Sequence, residues 1–318
     1  MLDVIRTQGD DELARVFVGR LPDGALVEWA ESIQPPIPRS EKWVLIVSTL
    51  RGCPVHCAIC DAGREYRGRL SAAEILAQID HMVRRRFPDG RIPVPKLKIQ
   101  LARMGDPAFN DAVLEVLREL PRRYDAPGLM PSLSTIAPAG RGRFFEELLA
   151  IKDELYAGGR FQLQLSLHTT DEAARRILVP ARTWTFAQMA AYGRRFVRNG
   201  DRRITLNFAP ARGFPLEAAA LARVLDPGLF LVKLTPINPT HAARASGLAG
   251  LIDPSDPHSC AEITERFRAA GYETIVSIGE LAENDIGSNC GMHVADSAGE
   301  ERGQGERPST GGAPLAMR

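Results

Sequence analysis

Strand-like and helix-like segments alternate along most of the chain, and this alternation limits the fold more than any other feature. The strand-like runs are short and apolar, and the segments between them have the spacing of amphipathic helices. One helix is predicted to begin at the capping box Ser71-Ala-Ala-Glu74 and to continue towards Arg86. Strands that alternate with helices form a parallel sheet. The predicted strands cover residues 43–49, 96–102, 132–136, 162–167, 203–208, 229–234 and 274–278.

The alternation predicts an α/β fold, a partial (β/α)6 TIM-like barrel, with different segments at both ends. Residues 1–40 are predicted to be an N-terminal extension that starts as a short helix or loose tail. A hairpin over residues 16–29, with its turn at Pro22-Asp23-Gly24, and a proline-rich linker complete it. The barrel core is expected over residues 41–297. Residues 298–318, rich in Gly, Glu, Arg and Pro, are predicted to be disordered.

Three of the five cysteines stand in one loop, directly after the first predicted barrel strand. Cys53, Cys57 and Cys60 have the spacing C-x3-C-x2-C. Three thiolates hold three irons of a [4Fe–4S] cluster and leave the fourth iron without a protein ligand. A substrate or cosubstrate can then coordinate that iron, whereas a ferredoxin would close the cluster with a fourth cysteine. The spacing therefore favours a reactive cluster over an electron-transfer cluster.

A zinc site is the alternative interpretation of clustered cysteines in an intracellular protein. Structural zinc takes four ligands, often from two C-x2-C pairs, and no second pair follows this one. His56 is a candidate fourth ligand, but it lies in the short loop between Cys53 and Cys57, where coordination beside both neighbours would strain the backbone. A zinc- or cluster-bearing regulator is the corresponding non-enzymatic hypothesis.

Composition narrows the class of protein further. The chain has 40 basic and 39 acidic residues, so its charge predicts no strong field for binding polyanions. Arg84-Arg85-Arg86 is the one triple basic run, and on a helix it is predicted to form a solvated face. No apolar run is long enough to predict a membrane span, and the cysteines do not resemble a disulfide framework. These features predict a cytoplasmic protein without membrane association.

Small or polar residues follow the carboxyl ends of four predicted strands, which is where parallel barrels carry their active sites. A strand often ends in Gly, Ser or Asn for turn geometry alone. The repetition at several strand ends instead predicts a functional site. The segments are Met104-Gly-Asp-Pro107, Ser134-Thr135, Ser166-Leu-His168 and Asn238-Pro239.

The cysteine loop resembles the radical S-adenosylmethionine (SAM) signature, although Ile59 stands where many such proteins have an aromatic residue. From about residue 16 to residue 295 the chain resembles the RlmN/Cfr family of radical-SAM methyl synthases, which methylate adenine carbons in RNA. The matching segments are Arg103-Met-Gly-Asp-Pro-Ala-Phe-Asn110, Leu133-Ser-Thr135, Leu165-Ser-Leu-His168 and Pro236-Ile-Asn-Pro239. The resemblance implies a [4Fe–4S] cluster on the three cysteines, and SAM contacts at Gly105, Asp106, Ser134, Ser166, His168 and Asn238.

Two further matches concern methyl transfer in that family. Glu28, in Leu26-Val-Glu-Trp29, matches the family's proposed proton acceptor; without the resemblance it would be predicted as an exposed hairpin carboxylate. Cys290 matches the cysteine that one SAM molecule methylates. A second SAM then yields a radical that takes hydrogen from the S-methyl group, and the resulting carbon radical adds to an sp² carbon. An electron donor such as flavodoxin or ferredoxin is implied.

The chain departs from the family at two points. The family has a second cysteine seven residues before the cluster, which closes a disulfide to release product, and here that residue is Ile46. Cys260 is predicted to be a small buried apolar residue, not a replacement. The family's N-terminal RNA-engaging domain is expected to be missing. We therefore expect C-methylation of a small-molecule or nucleobase-containing substrate rather than ribosomal RNA. The alternative is a non-methylating radical-SAM enzyme in which Cys290 donates hydrogen or has no role.

Overall fold

The computed structural model describes residues 2–63, 66–256, 258–279, 286 and 293–294. The strands are β1 (Asp3–Gly9), β2 (Ala14–Arg20), β3 (Leu26–Ser32), β4 (Lys42–Val47), β5 (Leu50–Arg51), β6 (Gly68–Arg69), β7 (Lys96–Leu101), β8 (Leu129–Thr135), β9 (Gln162–Ser166), β10 (Ile204–Phe208), β11 (Phe230–Leu234) and β12 (Thr274–Val276). The helices are α1 (Ala72–Arg86), α2 (Ala112–Arg123), α3 (Gly142–Leu155), α4 (Glu172–Leu178), α5 (Phe186–Phe196), α6 (Ala218–Ala222), α7 (His241–Ala245) and α8 (Ala261–Ala269).

One ten-stranded sheet, in the order β1-β2-β3-β4-β7-β8-β9-β10-β11-β12, runs through the molecule. From β4 to β12 all neighbouring strands are parallel, and six helical connections join them. This confirms the predicted α/β class and the partial TIM-like barrel. Along β7, Leu97, Ile99 and Leu101 are fully buried, whereas Lys96 and Lys98 alternate with them and keep some exposure. The alternation separates a helix-covered outer face from the barrel interior.

The N-terminal extension differs from the prediction at its start. Residues 3–9 form strand β1, which pairs antiparallel with β2, so the expected helix or loose tail is wrong. Most side chains of β1 are exposed, and the sequence therefore lacks the apolar alternation that identifies a strand. The predicted hairpin is confirmed, with Phe17 opposite Trp29 in β2 and β3. Because β3 also pairs antiparallel with β4, the extension continues the barrel sheet.

Local signals position the helices. Ser71 and Glu74 form the predicted capping box at the start of α1. The stretch after β11, predicted as a long loop, contains the five-residue helix α7.

Residues 298–318, predicted to be disordered, lie outside the described residues. Among the helices that the structure describes, none combines the length and the apolar character that crossing a membrane requires.

Two of the three arginines at the end of α1 form ion pairs with a buried carboxylate. Arg85 Nη1 lies 2.7 Å from Glu31 Oε1, and Arg86 Nε lies 2.6 Å from Glu31 Oε2. Both guanidinium groups also contact Asp11. Glu31 is fully buried, and without these cations its charge would be uncompensated. The predicted solvated face is therefore wrong for Arg85 and Arg86.

Candidate active site

The cysteine loop follows β4 at the carboxyl end of the barrel strands. Cys53 is buried, and Cys57 and Cys60 are partly exposed. Burial raises the pKa of the Cys53 thiol to about 11 and that of Cys57 to about 12. Thiolates in such a place need a neighbouring positive charge, which a bound metal supplies. Cys53 belongs to an apolar cluster with two residues of the same segment, Val55 and Ala62, and with Met104, Ile136, Leu178 and Val179.

Three thiolates from one loop are a donor set that a [4Fe–4S] cluster accepts. Within the described ranges, no three His, Cys, Asp or Glu side chains form a group able to hold one metal ion. Three thiolates that each bind a different iron of a cluster need not converge on one point. His56 is exposed and has a left-handed φ of 58°, so it lets the backbone turn between Cys53 and Cys57.

Contacts from the last part of the barrel hold the cysteine loop in place. The Asp61 carboxylate accepts hydrogen bonds of 3.0 and 2.8 Å from the first two backbone N–H groups of α7. The hydroxyl of Thr240 donates to the carbonyl oxygen of Ile59 at 3.1 Å. Asn238 lies two residues before Thr240, so the loop that carries this predicted SAM contact is tied to the cysteine loop.

Gly105 and Asp106 lie against the cysteine loop, as the predicted site requires. Gly105 has a φ of 85°, and a Cβ at this position would lie 2.3 Å from Leu50 Cβ, so only glycine fits. Cys53 lies close enough to the backbone N–H of Asp106 for that group to oppose the rise in the pKa of the Cys53 thiol. The strand-end segment after β7 and the cluster ligands therefore form one local structure.

The Asp106 carboxylate is buried and strongly hydrogen-bonded. It accepts bonds from Thr135 Oγ1 at 2.8 Å, from the Ile136 N–H at 2.6 Å and from the Ala108 N–H at 2.9 Å. Burial raises the pKa of Asp106 to about 6, although these donors oppose the rise. An ammonium group placed beside it would favour the ionised form.

Ser134 and Ser166 end neighbouring strands, β8 and β9. Ser134 Oγ accepts a hydrogen bond of 3.0 Å from Gln164 Nε2. The carbonyl oxygens of Ser166 and Ile136 accept bonds of 2.7 and 2.8 Å from Arg175 Nη2. A single guanidinium thus links the ends of these two strands.

His168 is held as a neutral ring with one defined tautomer. Its backbone has a left-handed φ of 66°, and its Nδ1 accepts a hydrogen bond of 3.2 Å from the Ala209 N–H. The ring proton is therefore assigned to Nε2. Burial and the nearby charge of Arg175 lower the pKa of His168 to about 4. The ring can donate or accept a hydrogen bond at pH 7 without carrying charge.

Two polar residues at this site were missed from the sequence. Arg175 is almost fully buried, its charge acts on Cys57, and burial lowers its pKa to about 10. Arg175 Nε and the buried Asn207 Oδ1 have no hydrogen-bond partner in the part of the chain that the structure describes. Asn207 is the cross-strand neighbour of Ser166. Neither carries a sequence signal, because α4 presents Arg175 as an ordinary helical arginine.

Glu28 is buried, which contradicts the exposed hairpin position that the sequence pattern alone suggests. Its strand, β3, lies between β2 and β4 and is covered on both sides. Glu28 Oε1 lies 2.7 Å from Arg103 Nε, and both side chains are at most 1% exposed. Glu28 Oε2 accepts a hydrogen bond of 3.2 Å from the Val294 N–H.

Cys290 lies outside the described residues, but described residues flank it on both sides. Val294 packs against the apolar cluster that contains the cysteine loop. Ile286 Cγ2 lies 2.8 Å from the point where a Cβ on Gly9 would stand. The described flanks of Cys290 therefore contact the cysteine loop and the N-terminal strands.

Ile46 occupies a strand position with no thiol chemistry. It faces Ala30 across β3 and Gln100 across β7. Cys260, at the start of α8, is 5% exposed and belongs to the main apolar core rather than to the cluster around the cysteine loop. The prediction of a small buried apolar residue is confirmed.

Comparisons with known proteins agree with this geometry, although no family model matches the chain. A protein of Frankia alni named "Probable dual-specificity RNA methyltransferase RlmN" is 30% identical over 311 residues, which is 92% of this chain and 67% of that protein. A protein of the same name from Thermus thermophilus is 29% identical over 268 residues, covering 80% and 68%. The crystal structure of a radical SAM methyltransferase from Sphaerobacter thermophilus is 25% identical, with a TM-score of 0.71 over 92% of this chain and 80% of that one.

The partial barrel, the three-cysteine loop and this structural neighbour define an enzyme of the radical SAM methyltransferase class. Such enzymes use a [4Fe–4S] cluster and SAM. Within that class, the chain belongs to the RlmN family. The family resemblance seen in the sequence is thereby confirmed.

Proposed function

We propose that this enzyme methylates an sp² carbon with Cys290 as the methyl carrier, on a nucleobase-type substrate smaller than ribosomal RNA. The hydrogen bond from the Val294 N–H to Glu28 Oε2 carries the proposal. It joins the segment that follows Cys290 to the predicted proton acceptor. Val294 also packs against the apolar cluster around Cys53 and Cys57. These contacts support one shared site for methyl carrier, proton acceptor and cluster.

The chain's own residues bind and orient the reacting groups. Cys53, Cys57 and Cys60 would hold the cluster, which, when reduced by a donor such as flavodoxin or ferredoxin, would supply a 5′-deoxyadenosyl radical from SAM. Asp106 would hold the SAM ammonium, with Gly105 allowing close approach of the backbone. The remaining proposed SAM contacts are Ser134, Ser166, His168 and Asn238. An oxygen-sensitive cluster of this kind fits a reducing cytoplasm.

The charge of the molecule supports a substrate with few phosphates. The formal net charge is +1, whereas phosphate contacts dominate affinity for nucleic acids. Arg85 and Arg86, in the longest basic run, are engaged by Glu31 and Asp11. Because the relatives are named as RNA methyltransferases, ribosomal RNA belongs among the substrates tested.

Product release requires a thiol that position 46 does not provide. In the family's cycle the methyl-carrying cysteine stays bonded to the substrate until a second thiol releases it. Since Ile46 cannot form a disulfide, turnover should stall at a protein–substrate adduct unless an added thiol or another residue resolves it. An added thiol should therefore raise the number of turnovers per enzyme.

Labelled SAM tests the methyl carrier directly. The anaerobically reconstituted protein is incubated with methyl-labelled SAM and a reductant, and its peptides are analysed by mass spectrometry. The label should appear on Cys290 and be retained in Cys260→Ala. Cys290→Ala should stop product formation while uncoupled SAM cleavage continues, and Cys53→Ala should abolish cleavage. Normal turnover of Cys290→Ala sinks the proposal, and 5′-deoxyadenosine without a methylated Cys290 favours the non-methylating alternative.

The substrate is tested separately, with ribosomal RNA, short oligonucleotides and adenine nucleotides offered in parallel. We expect methyl transfer to the smaller substrates and weak, non-productive binding of ribosomal RNA. Tight, salt-sensitive binding of ribosomal RNA with methylation of one of its adenines would refute the proposed substrate size and leave the methyl-carrier role of Cys290 intact.

A further inference from the structure

Lysine is rare in this chain, and nearly all of it lies on the barrel strands. Only five of the 40 basic residues are lysines. Four of these are on β4, β7 and β11: Lys42, Lys96, Lys98 and Lys233. The fifth, Lys152, is a buried core residue whose ammonium binds Asp153 and Asp201. The four strand lysines are the group of interest, because they differ from Lys152 in what surrounds them.

Strand geometry directs these four side chains into the barrel interior. Lys96 and Lys98 alternate with the fully buried Leu97 and Ile99, which face the helices. In the parallel register of β4 and β7, Lys42 is the direct neighbour of Lys96. Like charges placed side by side on neighbouring strands destabilise a sheet. The pairing therefore calls for a compensating charge.

Lys233 joins this group from the opposite part of the sheet. Its neighbours Val232 and Leu234 are fully buried, so Lys233 also faces inward. Among the charged groups that act on Lys98, Lys233 has the largest effect. Since β7 and β11 are separated by three strands in the sheet, inward-facing side chains on these two strands face each other across the barrel.

None of the four strand lysines forms an ion pair with a described residue, and Lys42 donates a hydrogen bond to the neutral side-chain amide of Gln34. The four charges with the largest effect on the pKa of Lys98 are those of Lys233, Lys42, Lys96 and Arg202, all cationic. Neither Lys98 nor Lys233 has a hydrogen bond or ion pair to any described residue. Burial and these like charges lower the pKa of Lys98 to about 7. Both side chains nevertheless keep some accessible surface, as expected for groups that line an interior space.

From this arrangement we infer that the interior of the barrel binds a phosphate-type oxyanion between Lys98 and Lys233. A tetrahedral oxyanion offers acceptors in several directions, so ammonium groups on facing strands can bind it together. More than one negative charge is needed to balance so many cations. Lys42 and Lys96 begin their strands and Arg202 lies just before β10, so they form a basic entrance at the amino ends of the strands.

The oxyanion site begins deeper in the barrel than the proposed methyl-transfer site and reaches it at Lys233, which is the direct neighbour of Asn207 in the register of β10 and β11. Asp106, Ser134 and Ser166 lie at the carboxyl ends of their strands or beyond, whereas Lys96 begins β7 and Lys98 is its third residue. Lys98 is three residues before the end of β7, a distance of about 10 Å along an extended strand. Lys98→Met therefore tests the oxyanion site away from the methyl-transfer site, whereas Lys233→Met also changes a neighbour of Asn207.

Binding is tested on the reconstituted protein in phosphate-free buffer, by titration calorimetry and thermal unfolding with orthophosphate and diphosphate. We expect saturable binding and a raised melting temperature, more so with diphosphate. Lys98→Met and Lys233→Met should each weaken binding at least tenfold, and the double variant should abolish it. Arg143→Gln is the matched control, because Arg143 is a 93% exposed cation on α3.

A second measurement, thermal unfolding in the absence of ligand, tests whether the two lysines are uncompensated. If Lys98 and Lys233 are uncompensated in the free protein, Lys98→Met and Lys233→Met should unfold at higher temperature than the parent protein in phosphate-free buffer. Adenosine 5′-monophosphate could bind where the inorganic ions do not. If the double variant also abolishes that binding, the oxyanion is the phosphate group of a nucleotide. The inference is overturned if no phosphate compound binds, if the double variant binds normally, or if the Met variants are less stable.

Discussion

Glu28 and Arg103 form an ion pair that water does not reach, so each charge depends on the other. Removing one member of a buried pair leaves an uncompensated charge and typically costs about 3–5 kcal/mol. We expect Arg103→Met to lower the free energy of unfolding by about that amount. Urea denaturation measures it, with Arg143→Met as the exposed control.

The double variant Glu28→Gln/Arg103→Met separates charge from packing in this pair. Because both charges are removed together, the double variant should be more stable than Arg103→Met alone. Equal or lower stability of the double variant would contradict the importance of the ion pair.

Lys98 gives the protein a pH dependence whose sign follows from its pKa. An unfolded lysine titrates near pH 10.4, whereas burial and like charges lower the pKa of Lys98 to about 7 in the fold. Between these values the unfolded chain binds more protons, so this residue makes stability rise with pH. Below about pH 7 both states are protonated and the penalty is at its full size.

Lys98→Met removes this penalty. The variant should therefore exceed the parent protein in stability most at about pH 6.5, and the difference should shrink towards about pH 9. Comparison of the two proteins by chemical denaturation cancels the titration of all other groups. A constant difference across this range would show that Lys98 keeps an ordinary pKa.

The short helix α7 acts as the anchor of the cysteine loop. Its first two N–H groups donate to the buried carboxylate of Asp61. Asp61→Ala would leave these donors unpaired, at a cost of about 1–3 kcal/mol in unfolding free energy, and should lower the iron content after reconstitution. Glu217 is the matched control, since it precedes the equally short α6 and makes no capping hydrogen bond. Equal iron content in Asp61→Ala and Glu217→Ala would contradict this anchoring.

The strands and helices differ in how far the sequence predicts them. The barrel strands were predicted to within a few residues, because each is an apolar run with turn residues around it. Strand β1 was missed because it is exposed and stabilised by pairing with β2. Helix α7 was missed because it is only five residues long, and because two of its N–H groups bind Asp61, which lies 180 residues away in the sequence, in addition to the local cap Thr240.

The residues of the candidate site also differ in how far the sequence predicts them. The positions of Cys53, Gly105 and Asp106 after strands identify them in the sequence. The roles of Arg175 and Arg103 depend on partners brought in by the fold, namely Ser166, Ile136 and Glu28. Spacing predicts residues that share one loop or strand end, and it carries no information about such distant pairs.

At the scale of the whole molecule, the two ends of the parallel part of the sheet, β4 and β12, have different neighbours. The last parallel strand, β12, pairs only with β11 among the described strands. On the other side β4 pairs with β3 through Val44, Leu45 and Ile46, and the antiparallel strands then extend the sheet outward. The side of the barrel that carries the first cysteine is thus covered by the N-terminal strands.

Because β3 covers β4, the N-terminal strands protect the barrel from self-association. Removing residues 2–32 would leave the N–H and C=O groups of an apolar strand open as an edge, which is a template for pairing with another chain. We expect that truncated protein to aggregate, and light scattering to detect it. Removing residues 2–12 should leave it monomeric, because β2 and β3 still cover β4. Oligomerisation of both truncations to the same extent would assign the protection to β1 instead. The N-terminal strands, which are not part of the parallel barrel, would then prevent the barrel sheets of different molecules from joining edge to edge into an amyloid-like assembly.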